Sequence, residues 1–415
     1  MSQFAPSKTQ FRKWELHMIK WQKNMVKIGA LATIVLALAG CSTAKSNGSG
    51  QGNNPGKTIK IGVNMELSGS AAGYGQQQKQ GIQLAVNKIN KAGGIKVGNT
   101  KKKIQLVVRD NKTSNTTAAS VAAQLVNNDK VVAVVGPAAT NAGTASIPNM
   151  TKAQVPSVSP SATDPGYTLQ KNGDVQKYIF RACFQNNFQG SSAAKFMTSN
   201  LKAKNVAILT DNSSDYGTGL TKAFKKTYTG KVVSSQTFQE GDKDFNAILT
   251  SLKHKKIDAI YAPGYYSELG LIIKQARQAG INVPVVGSDG MADAKLAKIA
   301  GNSNTSNVYY TTPFSTKSGE TNTLAAAFLK TYQAKYHTTA PTFSALAYDS
   351  VYMIKSAIES EKSANSVKIT AGLAKITDFK GVTGTITMNK NHNPEKSMTI
   401  EKLTDGTVSQ AYTLK

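Results

Sequence analysis

Side chains able to do chemistry are scarce in this chain. Four aspartates, Asp211, Asp215, Asp289 and Asp293, are near enough in sequence to supply a carboxylate pair, the arrangement glycoside hydrolysis needs. Aspartate at the end of an apolar run more commonly caps the next helix or closes a turn, which accounts for most of them. The four histidines, His17, His254, His337 and His392, lie far apart and leave little for a His-rich metal centre. Two cysteines exclude a disulfide-rich scaffold and a Cys-based structural zinc site. Cys183 sits in IFRACF among aromatic residues, as a small core residue rather than a nucleophile. The turn Gly73-Tyr74-Gly75 invites a dinucleotide, but Gln78 stands where the third glycine belongs. Neither GxxxxGK[ST] nor Gly-x-Ser-x-Gly occurs. No catalytic constellation, cofactor or metal is expected.

The elements that would hold any site are easier to read. From Thr58 onward, short β-branched runs alternate with helical patterns. IKIGVNM (59–65) reads as a strand, and Gln76 to Lys91 places Ile82, Ala85, Val86 and Ile89 on one helical face. Residues 104–108, 131–135 and 155–158 are further strand runs. A second series runs through VAILT (206–210), IDAIYA (257–262) and VPVVG (283–287), with helices expected near 217–229, 244–254 and 267–279. A long helical stretch at 321–360 and a β-rich tail from Thr385 follow. Strands separated by helices argue parallel, doubly wound sheets, and two series argue two α/β lobes. In such sheets ligands bind beyond the carboxyl ends of the strands. The loops there are SGSAAGYG (68–75), GPAATNAG (136–143), SPSATDPG (159–166), DNSSDYG (211–217), PGYYSELG (263–270) and GSDGMAD (287–293), rich in glycine, hydroxyls and tyrosine.

The N-terminus reads as an address. IGALATIVLALA (28–39) is too short to span a bilayer but suits a signal-peptide core, with Lys20, Lys23 and Lys27 before it. Leu38-Ala39-Gly40-Cys41 resembles the lipobox of bacterial lipoproteins, in which the cysteine carries lipid and becomes the first mature residue. A signal over 1–40 is expected, with translation from Met18 or Met25 giving one of more ordinary length. A flexible tether over 41–56, rich in Ser, Gly and Asn, follows. The chain has 415 residues, 50 of them Lys or Arg and 23 Asp or Glu, for a formal charge of +27. Loss of residues 1–40, with six basic and one acidic side chain, lowers that to +22. Export makes anionic lipid headgroups and wall polymers the expected counterparts. The bases show no Arg-rich or aromatic-interleaved stripe, so nucleic acid is not an expected partner.

The strand-end loops, taken in order along the mature chain, resemble the leucine/isoleucine/valine-binding protein family, the type I periplasmic-type solute receptors of ABC importers. The blocks are SGSAAGYGQQQKQGIQLAVNKINKAGGI, VVGPAAT, VPSVSPSATDP, IFRACFQNNFQG, LTDNSSDYGTGL, GDKDFNAIL, YAPGYYSELGLIIKQARQAG and VGSDGMAD. Each is weak alone; their order and spacing carry the resemblance. It implies two lobes joined by three crossing strands, near Arg181, Tyr310 and Met388. The first lobe would comprise 57–182 with 312–387, and the second 183–311 with 388–415.

The resemblance also assigns ligand contacts. Tyr74 would stand at the ligand's side-chain end and Thr140 would hold its α-carboxylate. Ser161 would contribute backbone, and Thr163 its hydroxyl and amide. Tyr216 and Tyr265 would close over the ligand from the second lobe. Asp289 would pair with its ammonium, one methylene shorter than the Glu many relatives carry. Phe343 would wall the side-chain pocket, which Ala138 and Ala139 would enlarge. The chemistry agrees, since a zwitterion needs donors at one end and an anion at the other. The implied protein is a monomeric, lipid-anchored receptor on the outer face of the cell membrane, delivering an amino acid, foremost Leu, Ile or Val, to a permease. A same-fold receptor for amides, urea or aromatic acids is the nearest rival, and a basic envelope adhesin is the rival of another class.

Overall fold

The computed structural model describes residues 52–414. The expected signal over 1–40 and Cys41 lie outside the described residues. Strands β1 (Ile59–Met65), β2 (Ile95–Val97), β3 (Thr100–Lys102), β4 (Ile104–Asp110), β5 (Ala133–Val135), β6 (Ser157–Ser159) and β7 (Ile179–Arg181) come first. All but the hairpin β2–β3 form one parallel sheet in the order β4-β1-β5-β6-β7. Its inner strand β1 is buried along nearly its whole length, as a sheet covered on both faces requires.

Next come β8 (Asn205–Asp211), β9 (Lys231–Phe238), β10 (Ala259–Ala262), β11 (Val285–Gly287) and β12 (Val308–Thr312). They are parallel and belong to a second sheet in the order β17-β16-β12-β11-β10-β8-β9. Its last two strands, β16 (Met398–Thr404) and β17 (Thr407–Leu414), are antiparallel additions. Strands β13 (Phe379–Gly381), β14 (Gly384–Met388) and β15 (Pro394–Glu395) form a small antiparallel sheet ahead of them.

Between β12 and β13 the chain returns to the first sheet. The helix Thr342–Ser360 packs against the helix Ala72–Lys91 and against β5 and β6. That approach is close: a Cβ on Gly81 would lie 2.0 Å from the Ser344 carbonyl oxygen, so no larger residue fits. The helical stretch expected over 321–360 is two helices, Thr323–Tyr336 and Thr342–Ser360. His337 ends the first in the left-handed conformation and Pro341 caps the second.

Two further differences from the sequence reading matter. The first helix begins at Ala72, four residues before the expected Gln76, so Tyr74 stands on its first turn rather than in a loop. The tether expected over 41–56 is docked at its end. The Asn53 amide nitrogen donates to Ser366 Oγ at 2.8 Å, and its side chain donates to the carbonyls of Val126 and Val131 at 2.9 and 2.8 Å. The polar composition that suggested a flexible chain also supplies these bonds.

Candidate functional site

Each of the loops singled out above closes over a strand's carboxyl end, and several face one another across the two sheets. Tyr74 is 3% exposed, and its hydroxyl donates to the Gly290 carbonyl and accepts from the Tyr266 amide at 3.2 Å. Its ring meets Phe343 edge-on at 4.9 Å and lies 5.7 Å from Tyr265. Tyr265 in turn stacks on Tyr216, with centroids 5.0 Å apart and planes within 10°. Aromatic pairs in these geometries are favourable beyond their buried area. Burial drives the phenols of Tyr74, Tyr216 and Tyr265 well above their ordinary values, so they act as neutral donors and acceptors.

Asp289 is 2% exposed, just past β11. Tyr216 Oη lies 2.6 Å from Asp289 Oδ1 and 2.6 Å from Ser288 Oγ, while the Gly290 amide donates to the same phenol at 2.8 Å. Burial raises the Asp289 carboxyl to about 6, against the lowering effect of hydrogen bonds from Tyr216 and Gln189. Among the described residues Asp289 has no ion-pair partner.

On the opposite side, Thr140 opens the helix Thr140–Ala153 and is 1% exposed, yet its hydroxyl has no partner. Thr163, fully buried, also has an unpartnered hydroxyl. Ser161 Oγ is already committed: it accepts from Gln78 at 2.7 Å and donates to the Ala138 carbonyl at 2.8 Å. Tyr74, Thr140, Ser161, Tyr216, Tyr265, Asp289 and Phe343, with Ala138, Ala139 and Gly290, line one cavity of about 270 Å³, its mouth included. Thr163 stands outside that lining.

Several contributors escaped the sequence reading. Glu66, fully buried at the end of β1, accepts the amides of Ala138 and Ala139 at 2.9 and 3.1 Å. Those amides are therefore not free for a ligand carboxylate. Glu66 directly follows a strand, and the strand-end rule applied to every residue would have found it. Arg181 is fully buried without a carboxylate partner. It donates to the carbonyls of Ala162 and Asp164, both at 2.7 Å, and so braces the residues on either side of Thr163. Gln189 accepts from the Asp289 amide at 3.2 Å and from Thr311 Oγ1 at 2.7 Å; no sequence signal marks it. Of the other acids, Asp293 caps the helix Ala294–Ala300, and Asp211 accepts from Ser213 and Ser214.

Loops of the two sheets also touch directly. The Gly73 amide donates to Tyr266 Oη at 3.2 Å, and that hydroxyl donates to the Ser70 carbonyl at 3.1 Å. Gln77 Nε2 donates to Asp293 Oδ2 at 2.8 Å, and Ser70 is hydrogen-bonded to Glu240.

Two parallel α/β sheets with a small, mostly buried cavity between their strand ends give the chain the architecture of a binding protein. The periplasmic binding protein family profile matches residues 58–407, and the chain belongs to that family. It is 31% identical over 332 residues to the leucine-, isoleucine-, valine-, threonine- and alanine-binding protein of Pseudomonas aeruginosa, covering 79% of this chain and 85% of that one. Among solved structures it resembles the branched-chain amino acid transporter substrate-binding protein LivJ of Streptococcus pneumoniae, a complex with isoleucine. Identity there is 45% and the TM-score 0.82, covering 86% of this chain and 99% of that one. The leucine-binding protein LivK of Thermotoga maritima is 31% identical with a TM-score of 0.80, at the same coverage of both chains.

Proposed function

We propose that this protein is the lipid-anchored receptor of an ABC importer and binds a branched-chain amino acid in the cavity around Asp289. One observation carries the reading. A buried carboxyl without a cation faces a cavity that also holds a buried hydroxyl without a partner, Thr140. Buried polar groups are normally satisfied, so this pair points to a ligand with an ammonium at one end and a carboxylate at the other. Tyr74, Tyr265 and Phe343 supply the apolar wall for an aliphatic side chain. The isoleucine bound by the Streptococcus pneumoniae relative fits that chemistry.

The mechanism follows from placement. The first lobe, 57–182 with 312–387, supplies Tyr74, Thr140, Ser161, Thr163 and Phe343. The second, 183–311 with 388–415, supplies Tyr216, Tyr265 and Asp289. A ligand that touches both lobes favours the form in which they meet, and the permease reads that form. Direct bonds such as Tyr74 to Gly290 support this reading, since they link residues of the two proposed lobes. Titration calorimetry of the purified protein with each amino acid tests this: isoleucine, leucine and valine are expected to bind one to one and most tightly. Tighter binding of an amide, of urea or of an aromatic acid overturns it. For the anchor, fatty-acid labelling of cells is expected to mark the wild type and not Cys41→Ala; a labelled Cys41→Ala protein overturns that part.

A further inference from the structure

We infer that the β2–β3 hairpin and its surroundings form a lysine-rich face that lies on the anionic surface of the membrane. The charge of this chain is not evenly spread. Between Glu66 and Asp110 there is no acidic residue and there are eight basic ones. The fold gathers most of them at one end of the first sheet. Lys91 closes the helix Ala72–Lys91, Lys96 and Lys101 sit on the hairpin, and Lys103 leads into β4; all four are exposed.

The hairpin register is the telling feature. Lys96 pairs directly with Lys101 across the two strands. Like charges directly opposite each other destabilise an antiparallel pair. A two-stranded hairpin is weak in itself, so this choice of residues opposes its own stability. An anionic surface laid against it removes the repulsion. The nearby groups offset it only in part: Glu359 accepts the Lys96 amide at 3.4 Å while its other oxygen is bound to Lys355 at 2.5 Å, Lys101 Nζ donates to the Ala92 carbonyl at 3.2 Å, and Glu361 is bound to Lys375 at 3.0 Å. Lys91 also suits the negative end of its helix, but that accounts for one residue of the set.

The second observation is where the chain enters. Asn53 is docked on the first sheet's helices, and Lys102 Nζ donates to the Gly56 carbonyl at 2.8 Å. The segment arriving from the N-terminus therefore runs onto the lysine face. Ten residues separate Cys41 from Gly52, and the eleven steps between the two span at most about 40 Å. With the anchor proposed above, on which only the orientation depends, the face is held within reach of the headgroups. Each basic residue at an anionic surface strengthens adsorption about fivefold.

The test uses the unlipidated chain from Ser42 onward, which contains every described element. Its binding is measured to vesicles of equal parts phosphatidylglycerol and phosphatidylcholine, and to phosphatidylcholine alone. The wild type is expected to bind the anionic vesicles only and to be released by salt. Replacing Lys91, Lys96, Lys101 and Lys103 by Gln is expected to weaken binding by about 600-fold. A control with Lys222, Lys225, Lys226 and Lys231 replaced by Gln carries the same net charge and is expected to bind like the wild type. Equal loss in both variants, no binding by the wild type, or binding to lipid-free wall polymer in preference to vesicles each overturns the inference. The pair Lys96→Gln and Lys101→Gln is expected to melt at or above the wild-type temperature; a lower midpoint overturns the repulsion argument. Isoleucine titration is expected to be unchanged in all variants. A wild type that binds vesicles but no amino acid leaves this inference standing and removes the proposed function instead.

Discussion

Tyr216 and Asp289 are joined by a 2.6 Å hydrogen bond inside the cavity, both side chains almost wholly buried. The phenol holds the carboxyl in place and also receives the Gly290 amide at 2.8 Å. The carboxyl thus has a fixed direction but no cation, the arrangement suited to receiving an ammonium from outside.

Replacing Asp289 by Asn keeps the shape and removes the charge. A ligand ammonium would then be buried without its counter-ion, at a cost of about 3–5 kcal/mol, or about 10²- to 10⁴-fold in Kd. Calorimetry with isoleucine reads this directly, and an unchanged Kd removes Asp289 from the site.

The pH dependence follows from the same carboxyl. Its folded value, about 6, lies above the ordinary 3.8, so the ionised form is disfavoured where the two lobes meet and bury it. That closed form loses up to about 3 kcal/mol as pH rises through this window. An open, ligand-free form hydrates the carboxyl, so Asp289→Asn is expected to favour closure of the empty protein and to leave its melting temperature little changed. Ligand binding runs the other way, because it takes the ionised form. Isoleucine affinity is expected to fall about tenfold per pH unit below a break between the ordinary carboxyl value and about 6, and to be flat in Asp289→Asn. A parallel fall in both proteins assigns the pH effect elsewhere.

Thr140 offers a separation of binding from stability. Its buried hydroxyl has no partner, so Thr140→Val removes an unsatisfied group and is expected to leave the empty protein equal or up to about 2 kcal/mol more stable. A hydrogen bond to a charged group contributes about 1.5–3 kcal/mol, so affinity is expected to fall about 10- to 150-fold. A variant that loses stability and keeps affinity makes Thr140 structural.

Tyr266 lines none of the cavity but bonds to Gly73 and Ser70 from across the cleft. Tyr266→Phe removes both bonds and is expected to weaken isoleucine binding about 2- to 10-fold by disfavouring closure. Small-angle scattering of the ligand-free protein should show a larger radius of gyration than the wild type. An unchanged radius and Kd would place Tyr266 outside the closing mechanism.

The sequence alone carried the alternation of strands and helices, because apolar periodicity and strand-end glycines are local signals. The strand-end rule then led to the loops, since parallel sheets present them at one edge, and the family resemblance picked Tyr74, Thr140, Tyr265 and Asp289 out of them. Other features needed three dimensions. Glu66 and Gln189 matter through partners 72 and 100 residues away, and no local pattern encodes such bonds. The docking of Asn53 on Ser366 crosses 313 residues, and its polar neighbourhood reads locally as a free tether. The lysines of 91–103 are plain in the sequence, but only strand pairing sets Lys96 against Lys101. Residue type is local and survives without a fold; which unsatisfied groups face each other is decided by packing.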